Sequence, residues 1–345
     1  MLLEPFSFKG LHLSSRVVMA PMTRCAATDL QVPTMQMAAY YSDRASAGLI
    51  IAEATCVSAC ANAYPNTPGI YNDDQVKGWK ETTCAVHAKG GKIFLQLWHA
   101  GMMGHSSFRG GDLPLSPSGI APFRKKLARI GLPPETPRTM EKRDFIHVLD
   151  LFVQAAVRAK LAGFDGVEIH GASGYLLDSF LHHHTNRRKD RYGREKGRFI
   201  LEIVDAVSSV IRTGIRLSPV PLSGMQNMIY DRRDLEIFRD LFRELERREL
   251  AFVHAATDAD THFELGRVTR FIRTHYRGLL IGGGGYTPES AAQALANGEF
   301  DLISFGRLLL ANPNLVELIK RREKWRSFDF AMVRKPPPFL PFPNR

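Results

Sequence analysis

Two short glycine-rich stretches stand out for the chemistry their residues can do. Ile281 to Tyr286 reads IGGGGY and runs straight into Thr287-Pro288-Glu289, while Phe305 to Arg307 reads FGR. Glycine turns let peptide N–H groups close on an anion, and an arginine adds a charge-assisted fork. Gly283, Gly284, Gly306 and Arg307 therefore make a candidate phosphate cradle. Elsewhere, Thr23, Gln96 and Arg216 offer a hydroxyl, an amide and a guanidinium, a set able to hydrogen-bond the edge of a flat heterocycle. Taken singly, a buried glutamine or arginine is more often a structural hydrogen-bonding residue. The stretch GFDGVEIHGASGYLLDSF, residues 163 to 180, poses a different question, because an apolar alternation ends on His170 and Tyr175 follows five positions on. Alone, His170 reads as a core histidine and Tyr175 as a packing residue. No G-x-G-x-x-G follows a strand, so a Rossmann dinucleotide site is not indicated.

The elements that would position these residues are eight short β-rich runs: Arg16 to Ala20, Leu49 to Thr55, Lys92 to Leu97, Gly166 to His170, Gly214 to Leu217, Ala251 to His254, Leu279 to Gly282 and Leu302 to Phe305. Helical stretches lie between most of them. Phe145, Val148, Leu149, Phe152, Ala156 and Ala159 repeat at the spacing of one buried helix face. Thr287, Pro288 and Glu289 form a helix start, which closes near Asn297-Gly298. Eight alternations without a dividing linker predict a (β/α)8 TIM barrel, one domain over residues 1–345. In such a barrel the chemistry sits where the strands end, and loops seven and eight commonly hold phosphate. The candidate residues fall at those ends.

Residues 101–138 hold six prolines and little periodicity, and so long a loop after the third strand is expected to act as a lid. The tail 335–345 is proline-rich and is expected to pack on the barrel. The chain has 345 residues, 44% hydrophobic and 23% charged, a soluble globular composition. Its net charge of +11 is spread among separated basic runs, which argues against a specific nucleic-acid partner. With no apolar h-region near Met1 and no long apolar stretch, the expectation is a cytoplasmic protein without membrane contact. The four cysteines, Cys25, Cys56, Cys60 and Cys84, include no C-x-x-C pair and read as reduced, mostly packed thiols. Composition leaves the oligomeric state open.

Over nearly its whole length the chain resembles the Old Yellow Enzyme family of FMN-dependent ene-reductases. The resemblance runs through RVVMAPMTR at 16–24, YYSDRASAGLIIAEAT at 40–55, QLWHAG at 96–101, GFDGVEIHGASGYLLDSFL at 163–181, GIRLSP at 214–219, GGYTPESA at 284–291 and FGRLLLANPNL at 305–315. It implies FMN held with Pro21, Met22, Thr23, Ala54, Gln96 and Arg216 around the flavin ring and Gly283, Gly284, Gly306 and Arg307 around the phosphate. NADPH or NADH would be the reductant and an activated alkene, an α,β-unsaturated carbonyl or nitro compound, the acceptor. Arg216 would stabilise the anionic reduced flavin. By the same resemblance His170 and Ser173 hydrogen-bond the acceptor's oxygen, and Tyr175 protonates its α-carbon.

The sequence also departs from that family. Ser173 stands where histidine or asparagine is usual, Met102 follows QLWHAG where arginine is frequent, and RYGREKGRF at 191–199 lacks a second glycine after the tyrosine. His182-His183-His184 has a metal-binding look, yet it adjoins TNRRKDRYG, which resembles the family's loop after strand four, and no metal is expected. Two other readings remain open: a flavin-binding barrel with weak or lost ene-reductase activity, and a phosphate-binding barrel lyase or isomerase. Schiff-base versions of the latter need a strand-end lysine, which none of the eight strands supplies.

Overall fold

The computed structural model of this protein describes residues 1–121, 132–133, 135–220, 229–256, 262–263 and 266–329. Eight strands close into one barrel: β1 (Val17–Met19), β2 (Leu49–Cys56), β3 (Ile93–Trp98), β4 (Gly166–Gly171), β5 (Thr213–Leu217), β6 (Phe252–Ala255), β7 (Leu280–Gly282) and β8 (Leu302–Phe305). Each pairs in parallel with its neighbours in chain order, and β8 closes on β1 through Ile303, Ser304 and Phe305 opposite Val17, Val18 and Met19. Strands so enclosed are covered on both faces, which explains why they read as near-continuous apolar runs. All eight expected strands are present, with ends within a residue or two of the expected ones.

Helices return the chain from each strand end. Lys142–Leu161 turns Phe145, Val148, Phe152, Ala156 and Ala159 inward as its spacing predicts. Leu149, expected on the same face, lies at its flank and is only partly buried. Thr287 caps the helix Pro288–Ala296 by accepting from Ser290 N–H, and the Ser290 side chain accepts from the Thr287 N–H in return.

A hairpin, Phe6–Phe8 with Leu11–Leu13, closes the N-terminal end of the barrel. Its leucines join Val18, Leu49, Ile51, Phe94, Phe252 and Leu302 in an apolar plug. The opposite end is left to the loops. Of the expected lid, Gly101–Met103 and Ser106–Phe108 form single helical turns and Leu115–Ser116 pairs with Arg138–Thr139; residues 122–131 and 134 lie outside the described residues. The tail 335–345 lies outside them too. No helix among the described residues is long and apolar enough to cross a membrane.

Candidate active site

Parallel strands in a closed barrel all finish at one mouth, so residues remote in sequence meet there. The loop after β1 carries Pro21, Met22 and Thr23, and its course is fixed from below by Glu53 of β2. That carboxylate accepts from Arg24 N–H at 2.8 Å and from the Tyr41 hydroxyl at 3.1 Å. Burial pushes Glu53 up to about 7, against the pull of its donors. Ala54 follows at a register break between Ala52 and Thr55, the kind of irregularity that re-aims a side chain at a barrel rim.

Gln96 on β3 is buried and donates from Nε2 to Glu168 of β4 at 2.6 Å. Arg216 on β5 lies in register with His170 on one side and His254 on the other. Its Nε is buried with no hydrogen-bond partner among the described residues, and burial lowers its pKa against the raising effect of the Glu168 carboxylate. An orphaned guanidinium nitrogen at this depth is costly unless a ligand completes it.

His170 ends β4. Its Nδ1 accepts from Ala172 N–H at 3.4 Å, which puts the ring proton on Nε2. Burial, then the charge of Arg216, holds its pKa well below the usual histidine range, so the ring is a neutral donor. Ser173 adopts a left-handed backbone, φ 66°, and its N–H donates to Ser218 Oγ at 3.0 Å. Asparagine tolerates that conformation better than serine. Gly174, also left-handed, donates its N–H to Asp178 at 2.7 Å. This tight turn swings the Tyr175 ring perpendicular to His170, 4.9 Å away between centroids, and perpendicular to Trp98 at 5.1 Å.

Sequence reasoning missed a partner here. Tyr64 stacks on Trp98 and brings its hydroxyl 3.3 Å from that of Tyr175. Nothing in the Tyr64 neighbourhood of the sequence signals this, because the contact spans 111 positions. Met102 and Met103 pack against Tyr175 from the loop after β3, so Met102 contributes an apolar contact there.

At the other rim, a Cβ on Gly283 would lie 2.8 Å from Ala255 O, and one on Gly306 would lie 2.9 Å from Met22 Sδ. At 283 the obstacle is backbone and only glycine fits, whereas at 306 it is the end of the flexible Met22 side chain, which a Cβ would have to displace. Gly284 and Gly285 have φ of 111° and 88°, and Gly285 would present a Cβ 3.5 Å from an Arg307 nitrogen. The β7 and β8 turns thus approach each other and the Met22 loop, as the cradle requires. Arg307 itself is exposed. A backbone cradle, an exposed guanidinium and an orphaned buried one fit a phosphorylated planar ligand such as FMN.

The triple histidine forms a separate cluster. His182 sits between Asp178, 3.2 Å from Nε2, and Asp234, 2.8 Å from Nδ1; His183 Nδ1 lies 2.6 Å from Asp234. Two overlapping sets of potential ligand atoms occur here, His182, His184 and Asp234, and His183, Asp231 and Asp234. Hydrogen bonds and ion pairs already engage most of them. Of the cysteines, all free, Cys25 and Cys56 are packed as expected, whereas Cys60 is half-buried and Cys84 exposed.

Fold and mouth together define the class, a (β/α)8 barrel with a polar, glycine-edged C-terminal face. The chain belongs to the NADH:flavin oxidoreductase / NADH oxidase family, whose model matches residues 1–324. It is 36% identical to 12-oxophytodienoate reductase 7 of Oryza sativa subsp. japonica, over 92% of this chain and 86% of that one. It is 37% identical to a probable flavin mononucleotide-dependent alkene reductase of Leishmania infantum, over 98% and 93%. Among solved structures, the Old Yellow Enzyme homologue from Zymomonas mobilis superposes with a TM-score of 0.89 at 34% identity, covering 100% of this chain and 99% of that one. Morphinone reductase in complex with tetrahydroNAD gives 0.87 at 38% identity, covering 96% and 93%.

Proposed function

We propose that this chain is an FMN-dependent NAD(P)H oxidoreductase that reduces activated alkenes, α,β-unsaturated carbonyl or nitro compounds. Family membership supports the activity class and the cofactor. The observation that carries the assignment of the site is the Arg216 Nε, buried at the mouth with no hydrogen-bond partner among the described residues. A planar acceptor edge laid beside it satisfies that nitrogen; an apolar filling does not.

In this account Pro21, Met22, Thr23, Ala54, Gln96 and Arg216 line the ring, and Gly283, Gly284, Gly306 and Arg307 hold the phosphate. Bound FMN supplies a hydride acceptor and donor that NAD(P)H and then the alkene meet in turn. His170, neutral with its proton on Nε2, donates to the substrate oxygen where negative charge builds. Ser173 supports it with a shorter reach than asparagine or histidine. Tyr175 delivers the proton to the α-carbon, and the partly buried Tyr64 hydroxyl beside it relays a replacement proton from solvent. Met102 and Met103, packed on Tyr175, support a lid role for the 101–138 loop and exclusion of water from the transfer. The single domain spans the whole chain in this account. Free thiols and a nicotinamide reductant fit a reducing compartment, the cytoplasm.

Replacing Tyr175 by Phe separates the two halves of the cycle. Reoxidation of NADPH-reduced protein by 2-cyclohexenone should slow by about 10²–10⁴-fold, the usual worth of a positioned proton donor, while anaerobic reduction by NADPH keeps its rate. Equal loss in both halves would remove Tyr175 from its role. Full bleaching by NADPH in the unmodified protein, with no return of colour under enone, would instead favour a flavin protein that has lost ene-reductase activity.

A further inference from the structure

Behind the mouth a buried polar chain crosses the barrel. Gln96 Nε2 donates to Glu168 Oε1 at 2.6 Å, Glu168 Oε2 lies 2.8 Å from His254 Nδ1, and His254 Nε2 lies 2.8 Å from Ser304 Oγ. Ser304 Oγ is also 2.9 Å from the carbonyl of Gly282, next to the glycine turn. Glu168 and His254 are fully buried. The chain therefore links the strand end that carries Gln96 to the strand end that begins the phosphate cradle. Burial holds His254 below its usual range, against the pull of Glu168 and with Arg216 pushing the same way as burial. Glu168 and Arg216 interact electrostatically in this layer.

We infer that Glu168 is a positioning residue of the flavin site: it fixes the Gln96 amide and limits how much of the Arg216 charge reaches the bound ring. The first half follows from hydrogen-bond inventory. A carboxylate only accepts, so the Gln96 amide must turn its NH₂ toward Glu168, which leaves Oε1 as an acceptor for a ring N–H. The second half follows from Coulomb's law in a water-poor interior: Glu168 lies two residues before His170, the register partner of Arg216, and its carboxylate opposes the field of the guanidinium. Glu168 touches neither cofactor nor substrate. The inference rests on the FMN assignment above.

Glu168→Gln keeps the shape and a hydrogen-bonding group but removes the charge. Loaded with FMN and equilibrated anaerobically with a reference dye, this variant should favour the reduced flavin about tenfold more than the unmodified protein, a midpoint about 30 mV more positive for a two-electron couple. A merely structural role would lower stability or loosen FMN without that upward shift. An FMN-loaded variant with an unchanged or more negative midpoint overturns the inference. Should Glu168→Gln fail to fold, the double variant Glu168→Gln/His254→Gln removes both members of the buried pair together, and the same midpoint decides. Failure of the unmodified protein to bind FMN would strike the assigned function instead, which keeps the two failures apart.

Discussion

Two rungs of the same barrel, two residues apart on the same four strands, differ completely in character. In the lower rung Phe94 of β3 stands in register with Gly166 of β4, and Phe252 of β6 with Gly214 of β5. The two rings meet at 5.5 Å and fit only because the glycines make room. A Cβ on Gly166 would sit 2.4 Å from the Phe94 ring, and one on Gly214 2.3 Å from that of Phe252. Two residues further along, the same pairs become Gln96 with Glu168 and Arg216 with His254. The lower rung is packing and the upper is polar, with one nitrogen left unsatisfied. Stability and function are thus stacked on shared strands, and the apolar rung offsets the desolvation cost of the polar one.

If that division holds, damage to the lower rung should be large in stability and silent in redox behaviour. Phe252→Ala should cost about 3–5 kcal/mol in urea unfolding, while the midpoint of the FMN it still binds stays unchanged. A loss under about 1 kcal/mol, or a shifted midpoint, would break the comparison.

A smaller effect sharpens it. His182 lies outside both rungs yet is as buried as His254, and the two behave oppositely. Burial lowers both, but at His182 the Asp178 charge and the hydrogen bonds to Asp178 and Asp234 outweigh it and raise the pKa to about 9. A histidine raised on folding contributes in full below its ordinary value near 6.5 and loses that contribution as pH climbs through the folded value. Thermal stability of the flavin-free protein should therefore fall between pH 6.5 and 9 by an amount on the order of 3 kcal/mol. His182→Gln should start lower and flatten that slope. A variant whose slope matches the unmodified protein would show that His182 is not the titrating group. Because Asp178 also accepts from Gly174 N–H, the same variant should disturb the turn that carries Tyr175.

Much of this architecture was legible in the chain. Strand runs such as LIIAEAT and the helix start at Thr287 are local signals, written in apolar continuity and capping chemistry, and the folded elements match them to within a residue. That Gly283, Gly284, Gly306 and Arg307 follow strand ends was legible for a similar reason, since turn residues announce themselves there. The polar rung was harder. In a strand buried on both faces, alternation does not separate inward from outward positions, so Glu168 within GVEIHG looked unremarkable. Its charge inside an apolar run was the available signal. His254 and Ser304 had none, because their partners lie on other strands, 22 or more positions away. Tyr64 was hidden in the same way, its link to Tyr175 being purely tertiary.

The most direct measurement is a titration of the flavin-free chain with FMN, followed by quenching of flavin fluorescence, with riboflavin as the phosphate-free control. A polar rung and a glycine cradle that serve one ligand predict saturation at one FMN per chain and riboflavin bound at least about tenfold more weakly, the worth of a single charge-assisted contact. No saturable FMN binding, or equal affinity for the two flavins, would contradict it.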